Sequence, residues 1–286
     1  MSVETHLLGR TLRYRSLRVR APDDVSIAIQ DHGRGSGRDI LFVHGYSQSS
    51  LAWLKQTTGE LAGQHRLVTY DLRGHGSSEK PLQPQYFRES TRWAGELRAV
   101  IDAAGLRRPI VVAWSYAGRV VLDYIAEFGD ELLGGLVMVA ATSTARPEVL
   151  GPATPNLRAL AQAQELGNVI EACGSFLANC AACALSQEEL AMMLAYNLAV
   201  PPEVRAAMVG RAAEYDEVLA RVRVPLLLIH GALDPINLPA MSSHTANCVR
   251  HARQILYEGV GHMPFWESSH RFDRDMLEFV RKDCVA

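Results

Sequence analysis

The sequence predicts an α/β protein: a mostly parallel sheet of about eight strands flanked by helices, with a helical insertion late in the chain. Three observations carry this. Short, almost continuously apolar and β-branched runs recur at 40–43, 67–70, 110–113, 136–139 and 226–229, as expected for strands covered on both faces. Stretches of helical length and period separate them, the alternation that builds a parallel sheet. From about 144 to 221 the alternation stops, and no strand candidate appears until Val224-Pro225.

The elements follow in chain order. Arg10, Arg13, Arg15, Arg18 and Arg20 alternate with Leu12, Leu17 and Val19, a period of two that reads as an exposed edge strand with a charged face. This strand, 11–20, and a second at 25–31 are joined by Ala21-Pro22-Asp23-Asp24 and form an antiparallel start to the sheet. Helices are expected over 51–62, 91–104, 115–128 and 265–281, with Gly105 and Gly129 as C-terminal stops. A last strand is expected at 254–257. The core therefore comprises 1–143 and 222–286, and 144–221 forms an inserted helical cap. Within the cap, Cys173, Phe176, Leu177, Cys180 and Ala184 share one helical face, as do Leu190, Met193, Leu194 and Asn197. Core packing explains both stripes first; a lobe with adaptable Met side chains could also cover a cleft.

Composition excludes several classes of partner. The 286 residues are 48% hydrophobic and 21% charged, and 29 Lys and Arg against 31 Asp and Glu give a net charge of -2. Nothing in that balance favours nucleic acid or an anionic membrane. No apolar stretch reaches the roughly 18 residues of a membrane span, and the first residues lack the apolar core of a signal peptide. A cytoplasmic location is expected. Five cysteines, an odd number in a chain this large, suit a reducing compartment. Cys180-Ala-Ala-Cys183 lacks a second pair or a nearby histidine and reads as buried small hydrophobes. No metal or cofactor motif is found.

Chemistry begins at Ser115, where the run Ile110-Val111-Val112-Ala113-Trp114 ends abruptly and a helical pattern starts. A serine here also reads as a helix cap. A nucleophile elbow needs a strand-to-helix turn so sharp that only small residues fit two before and two after the serine; Ala113 and Ala117 meet that need. A serine hydroxyl is protonated at neutral pH, so attack requires a base and a group that orients it. His262 lies on the Gly-flanked loop Gly259-Val260-Gly261-His262 after the last strand. Asp234 lies just beyond the strand 226–229, at the sheet edge where sites assemble in open parallel sheets. The alternative acid position, Thr142-Ser143-Thr144, holds no carboxylate. The order Ser115, Asp234, His262 is the chain order of a triad on this architecture. Two backbone N–H groups are the expected oxyanion donors, that of Tyr116 at a helix start and that of Tyr46 after His44-Gly45.

With Asp71-Leu72-Arg73-Gly74-His75-Gly76-Ser77-Ser78 added, the chain resembles the α/β-hydrolase superfamily over nearly its full length. Trp114-Ser115-Tyr116 and Gly261-His262-Met263-Pro264-Phe265-Trp266-Glu267 are similar to the branch of cofactor-free chloroperoxidase-type esterases and acyl-homoserine lactonases. The chain departs from it in carrying Ala113 and Ala117 where glycines are usual, a source of crowding at the elbow. The resemblance implies hydrolysis of a small-molecule ester or lactone through an acyl-enzyme. Serine at the nucleophile position sets the chain apart from haloalkane dehalogenases and epoxide hydrolases, which resemble one another in using aspartate there. Perhydrolysis, acyl transfer and carbon-carbon hydrolysis use the same triad, and a non-catalytic ligand receptor is the reading from another class. Trp53, Phe176, Met192, Met193, Tyr196 and Met263 are candidates for the substrate pocket, each with packing as the competing role.

Overall fold

The computed structural model describes residues 1–33 and 35–284. Nine strands form one sheet in the order β1-β2-β3-β5-β4-β6-β7-β8-β9. They are β1 (Ser2–Leu7), β2 (Arg10–Arg20), β3 (Ser26–Gly33), β4 (Asp39–Val43), β5 (Arg66–Tyr70), β6 (Ile110–Trp114), β7 (Gly135–Val139), β8 (Leu226–Gly231) and β9 (Arg253–Tyr257). From β5 through β9 every neighbouring pair is parallel; β1, β2 and β3 join antiparallel. β6, β7 and β8 are buried at every residue, which is why they read as unbroken apolar runs.

The charged strand is not the edge. β1 pairs along β2 from Ser2↔Arg15 to Leu7↔Arg10, so Leu8 and Gly9 form a two-residue hairpin loop, both at positive φ (50° and 69°). That geometry matches the twist of the flanking strands, but Leu8-Gly9 lacks the Asn-Gly or Asp-Gly signature that marks it. The alternating arginines of β2 meet acids on both neighbours: Arg13 bonds Glu4 of β1 at 2.6 Å, and Arg15 bonds Asp31 of β3 at 2.8 Å.

The helices flank the sheet. Ser90–Ala103 and Ala117–Phe128 run as expected, with Gly105 and Gly129 at φ 61° and 74° ending them. The stretch 51–62 is divided: Ser50–Trp53, Leu54–Thr57 and Glu60–Gln64 are separate turns. The break falls at Gly59, where a Cβ would lie 2.5 Å from Lys55 O and 2.6 Å from the Asp273 carboxylate. The C-terminal helix likewise divides at Ser268 into Pro264–Glu267 and Ser269–Lys282.

Between β7 and β8 no named strand occurs among the described residues; Thr154–Gln162, Leu166–Ala178, Gln187–Leu198 and Pro202–Met208 are its longer helices. Ser186 and Glu189 form a capping box that starts the third, satisfying two N–H groups reciprocally. The second ends at Ala178, so the stripe expected to run on to Ala184 stops short: Cys173, Phe176, Leu177 and Cys180 are buried, whereas Cys183 and Ala184 are exposed. Cys183 is thus not the buried small hydrophobe expected of it. All five cysteines are free.

Candidate active site

Ser115 occupies the first residue beyond β6 with φ 55°. The left-handed region costs a non-glycine residue about 1 to 3 kcal/mol and persists only where surroundings enforce it. Those surroundings are hydrogen bonds: the Ser115 N–H donates to Val139 O at 3.0 Å, and its carbonyl accepts from Gly118 at 3.0 Å and Thr142 at 2.9 Å. Ala113 and Ala117 are fully buried. The tightest approach falls one residue later, at Gly118, where a Cβ would lie 2.5 Å from Thr142 O and 2.9 Å from Thr142 N.

The turn aims the hydroxyl at His262. Ser115 Oγ lies 2.9 Å from His262 Nε2, and His262 Nδ1 lies 2.6 Å from Asp234 Oδ2. A carboxylate only accepts, so Nδ1 carries the proton and Nε2 faces Ser115 as an acceptor. Asp234 is itself saturated. Its Oδ1 accepts from the Ile236 and Asn237 N–H groups at 2.8 and 3.1 Å, and its Oδ2 accepts a second imidazole, His230 Nε2, at 3.0 Å. Burial works to raise the Asp234 carboxyl, but the charges and hydrogen bonds of His262 and His230 outweigh it and hold its pKa at about 2.

The turn carrying Tyr46 rests against the elbow: a Cβ on Gly45 would lie 3.1 Å from Ser115 Cβ. The N–H groups of Tyr46 and Tyr116 donate to no acceptor among the described residues. Two buried histidines shape this turn. His44 Nε2 accepts from Leu72 N–H at 3.0 Å, and His75 Nε2 accepts from Ser47 N–H at 3.2 Å. Burial drops their pKa values to about 4 and about 3, so both stay neutral and keep those acceptors.

Ser115, Tyr46 and Tyr116 open onto a cavity of about 280 Å³ whose apolar wall includes Leu150, Leu157, Met208 and Ile236. None of the six residues expected to line a substrate pocket lines this one. Trp53 lies in the core, its ring centroid 4.8 Å from Phe42 and 4.3 Å from Phe265. Met193 and Met263 are buried, Met192 is partly buried against the core, and Phe176 packs edge-on to Tyr46 at 6.3 Å. Tyr196 borders a separate hollow with Tyr14, Gln30 and Asp71. The sheet buries both faces, so large apolar residues beside the site are consumed by packing before they reach the cavity.

A family model described as "Alpha/beta hydrolase family" matches residues 40–274. The chain belongs to the alpha/beta hydrolase family. Among solved structures of this family's fold, a putative aryl esterase from Burkholderia cenocepacia is 32% identical with a TM-score of 0.89, over 93% of this chain and 98% of that one. The esterase RhEst1 from Rhodococcus sp. ECU1013 is 30% identical with a TM-score of 0.86, over 94% and 99%. A non-heme haloperoxidase from Rhodococcus erythropolis is 27% identical over 92% of this chain and 98% of its own length.

In this alpha/beta hydrolase, three further residues hold the site together. His230, the residue directly after the apolar run 226–229, extends that strand; its second nitrogen, Nδ1, meets Ser242 Oγ at 2.7 Å. Glu267 accepts from the N–H groups on both sides of His262, Gly261 at 3.0 Å and Met263 at 3.2 Å, and from Ala182 at 2.7 Å. Trp114, next to the serine, donates its indole N–H to His262 O at 2.9 Å. The strand that presents Ser115 thereby grips the loop that presents His262. Elsewhere, Asp216, His244 and Cys248 bring metal-ligating atoms within 4.8 Å of one another, but Arg146 and His244 already engage the carboxylate at 2.7 and 2.8 Å. No helix of the described residues is long and apolar enough to cross a membrane.

Proposed function

We propose that this chain is a serine hydrolase of carboxylic esters or lactones that works through an acyl-enzyme. The observation that carries the reading is the hydrogen-bonded series Ser115 Oγ, His262 Nε2, His262 Nδ1, Asp234 Oδ2, at 2.9 and 2.6 Å, opening on a cavity. As the Ser115 oxygen bonds to the substrate carbonyl carbon, its proton passes to His262 Nε2, and Asp234 stabilises the imidazolium. The carbonyl oxygen becomes an oxyanion held by the Tyr46 and Tyr116 N–H groups, each worth about 3 to 4 kcal/mol when such a donor is deleted. The imidazolium then gives its proton to the departing alkoxide, and the acyl group stays on Ser115. Water attacks that ester with His262 again accepting the proton, which releases the acid and restores the serine.

In this reading the helices between β7 and β8 act as a cap, since Leu150, Leu157 and Met208 of that segment meet Ser115 across the cavity. The haloperoxidase relative supports one further activity of the same acyl-enzyme: hydrogen peroxide in place of water would yield a peracid. A fluorophosphonate probe should label Ser115 in the folded protein, and a panel of p-nitrophenyl esters and lactones should be turned over. Ser115→Ala should abolish labelling and cut turnover about a million-fold. Near-normal turnover by that variant, or an unlabelled wild type inert toward every ester and lactone, would refute the reading.

A further inference from the structure

We propose that the Ser115 cavity selects substrates bearing a free carboxylate, which Arg119 receives with Arg158 and Arg211 beside it. The proposal rests on the hydrolase reading and names the substrate class. Three arginines line the cavity, and no Asp or Glu does among the described residues. This local excess of positive charge stands out in a chain whose net charge is -2, and a cleft of one sign concentrates oppositely charged ligands.

The three arginines differ in what already holds them. Arg211 is neutralised by Asp123, which also accepts from the Tyr215 hydroxyl at 2.7 Å. Arg119 and Arg158 form no ion pair among the described residues. Arg119 follows Ser115 by one helical turn and sits over the Tyr116 ring, 5.6 Å from its centroid. Its Nη1 is committed to Arg211 O at 2.8 Å, while its Nε–H is buried without an acceptor. Nε has no accessible surface, so the N–H group left to meet an anion in the cavity is Nη2, a donor that keeps its positive charge. Burial also draws the Arg119 guanidinium below its ordinary pKa, against the pull of Tyr116, Tyr215 and Asp123. Arg158, exposed at the cavity mouth, extends the attraction outward.

The carboxylate could belong to the acyl or to the alcohol portion, and paired substrates separate the two. Monomethyl glutarate is compared with its terminal primary amide, and 4-acetoxybutanoate with its own primary amide. At low ionic strength the wild type should favour the anion at least tenfold in kcat/KM in one pair, which assigns the portion. Arg119→Gln should bring that ratio toward one, Arg119→Lys should keep part of it because the positive charge stays, and Arg158→Gln should lower it a few-fold. Fluorophosphonate labelling of Ser115 reports that each variant is folded. Should Arg119→Gln not fold, inhibition of the wild type by glutarate at least tenfold stronger than by glutaramide carries the same expectation. A wild-type ratio near one in both pairs, or a ratio unchanged in labelled Arg119→Gln, overturns the carboxylate subsite alone. Loss of labelling and of all ester turnover in the wild type overturns the hydrolase reading instead.

Discussion

Asp234→Asn replaces one oxygen of the proposed triad with nitrogen, and the surrounding hydrogen bonds dictate which one. Oδ1 accepts from two backbone N–H groups, Ile236 at 2.8 Å and Asn237 at 3.1 Å. An NH2 group placed there would face two donors, so the asparagine must keep its carbonyl on that side and turn its NH2 toward His262 and His230. His262 Nδ1 then faces a donor 2.6 Å away where it now faces an acceptor. The imidazole relieves this by moving its proton to Nε2, which points a donor at Ser115 Oγ and leaves no base for the hydroxyl proton. Volume and packing hardly change, so the variant should fold. The expected loss is about 10⁴-fold in kcat, the scale of a wrong-tautomer triad, equivalent to about 5.5 kcal/mol of barrier. The assay is steady-state hydrolysis of a p-nitrophenyl ester, with the thermal midpoint and circular dichroism measured on the same preparation. A folded Asp234→Asn enzyme retaining more than a tenth of wild-type kcat would refute the assigned role of Asp234.

Two predictions concern the scaffold. Gly118→Ala places a methyl about 2.5 Å from Thr142 O, a backbone atom that cannot rotate away; overpacking of this kind costs about 1 to 3 kcal/mol, against about 1 kcal/mol gained in helix propensity. The net lies between about zero and a loss of about 2 kcal/mol, so the thermal midpoint should fall by up to several degrees and should not rise; a raised midpoint would show that this approach is not tight. Asp273, buried beside Gln56 and Glu60, has its carboxyl pushed up to about 7, burial being the main cause and the Gln56 hydrogen bond opposing it. Between the unfolded pKa near 4 and the folded value the native state holds the extra proton, so this group's contribution to stability falls as pH rises through that window. Asp273→Asn should match wild type near pH 4 and exceed it above pH 7 by up to about 4 kcal/mol, read from urea unfolding at both pH values. A stability difference that does not change with pH would contradict this.

Local signals made much of the molecule legible. The apolar runs at 110–113, 136–139 and 226–229 correspond to β6, β7 and β8, because a strand buried on both faces must be apolar at successive positions. The β1–β2 hairpin escaped notice because Leu8 takes a positive φ that its side chain does not advertise. The division of 51–62 falls at Gly59, where a Cβ would meet both Lys55 O, four residues back, and the Asp273 carboxylate, more than two hundred residues on.

The sequence by itself determined the α/β class and placed Ser115, Asp234 and His262 just past strand ends in a workable order, because a strand's end and the loop after it are written in neighbouring residues. Only the tertiary structure decided what surrounds them. His230 meets Asp234 four residues on and Glu267 meets Gly261 six residues back, and these local bonds join one site only because Asp234 and His262 come together across 28 residues. The cavity lining moved from Trp53, Met193 and Met263 to Arg119, Leu157, Met208 and Arg211, since which face of a helix meets the cleft depends on how distant segments dock. No local pattern encodes that.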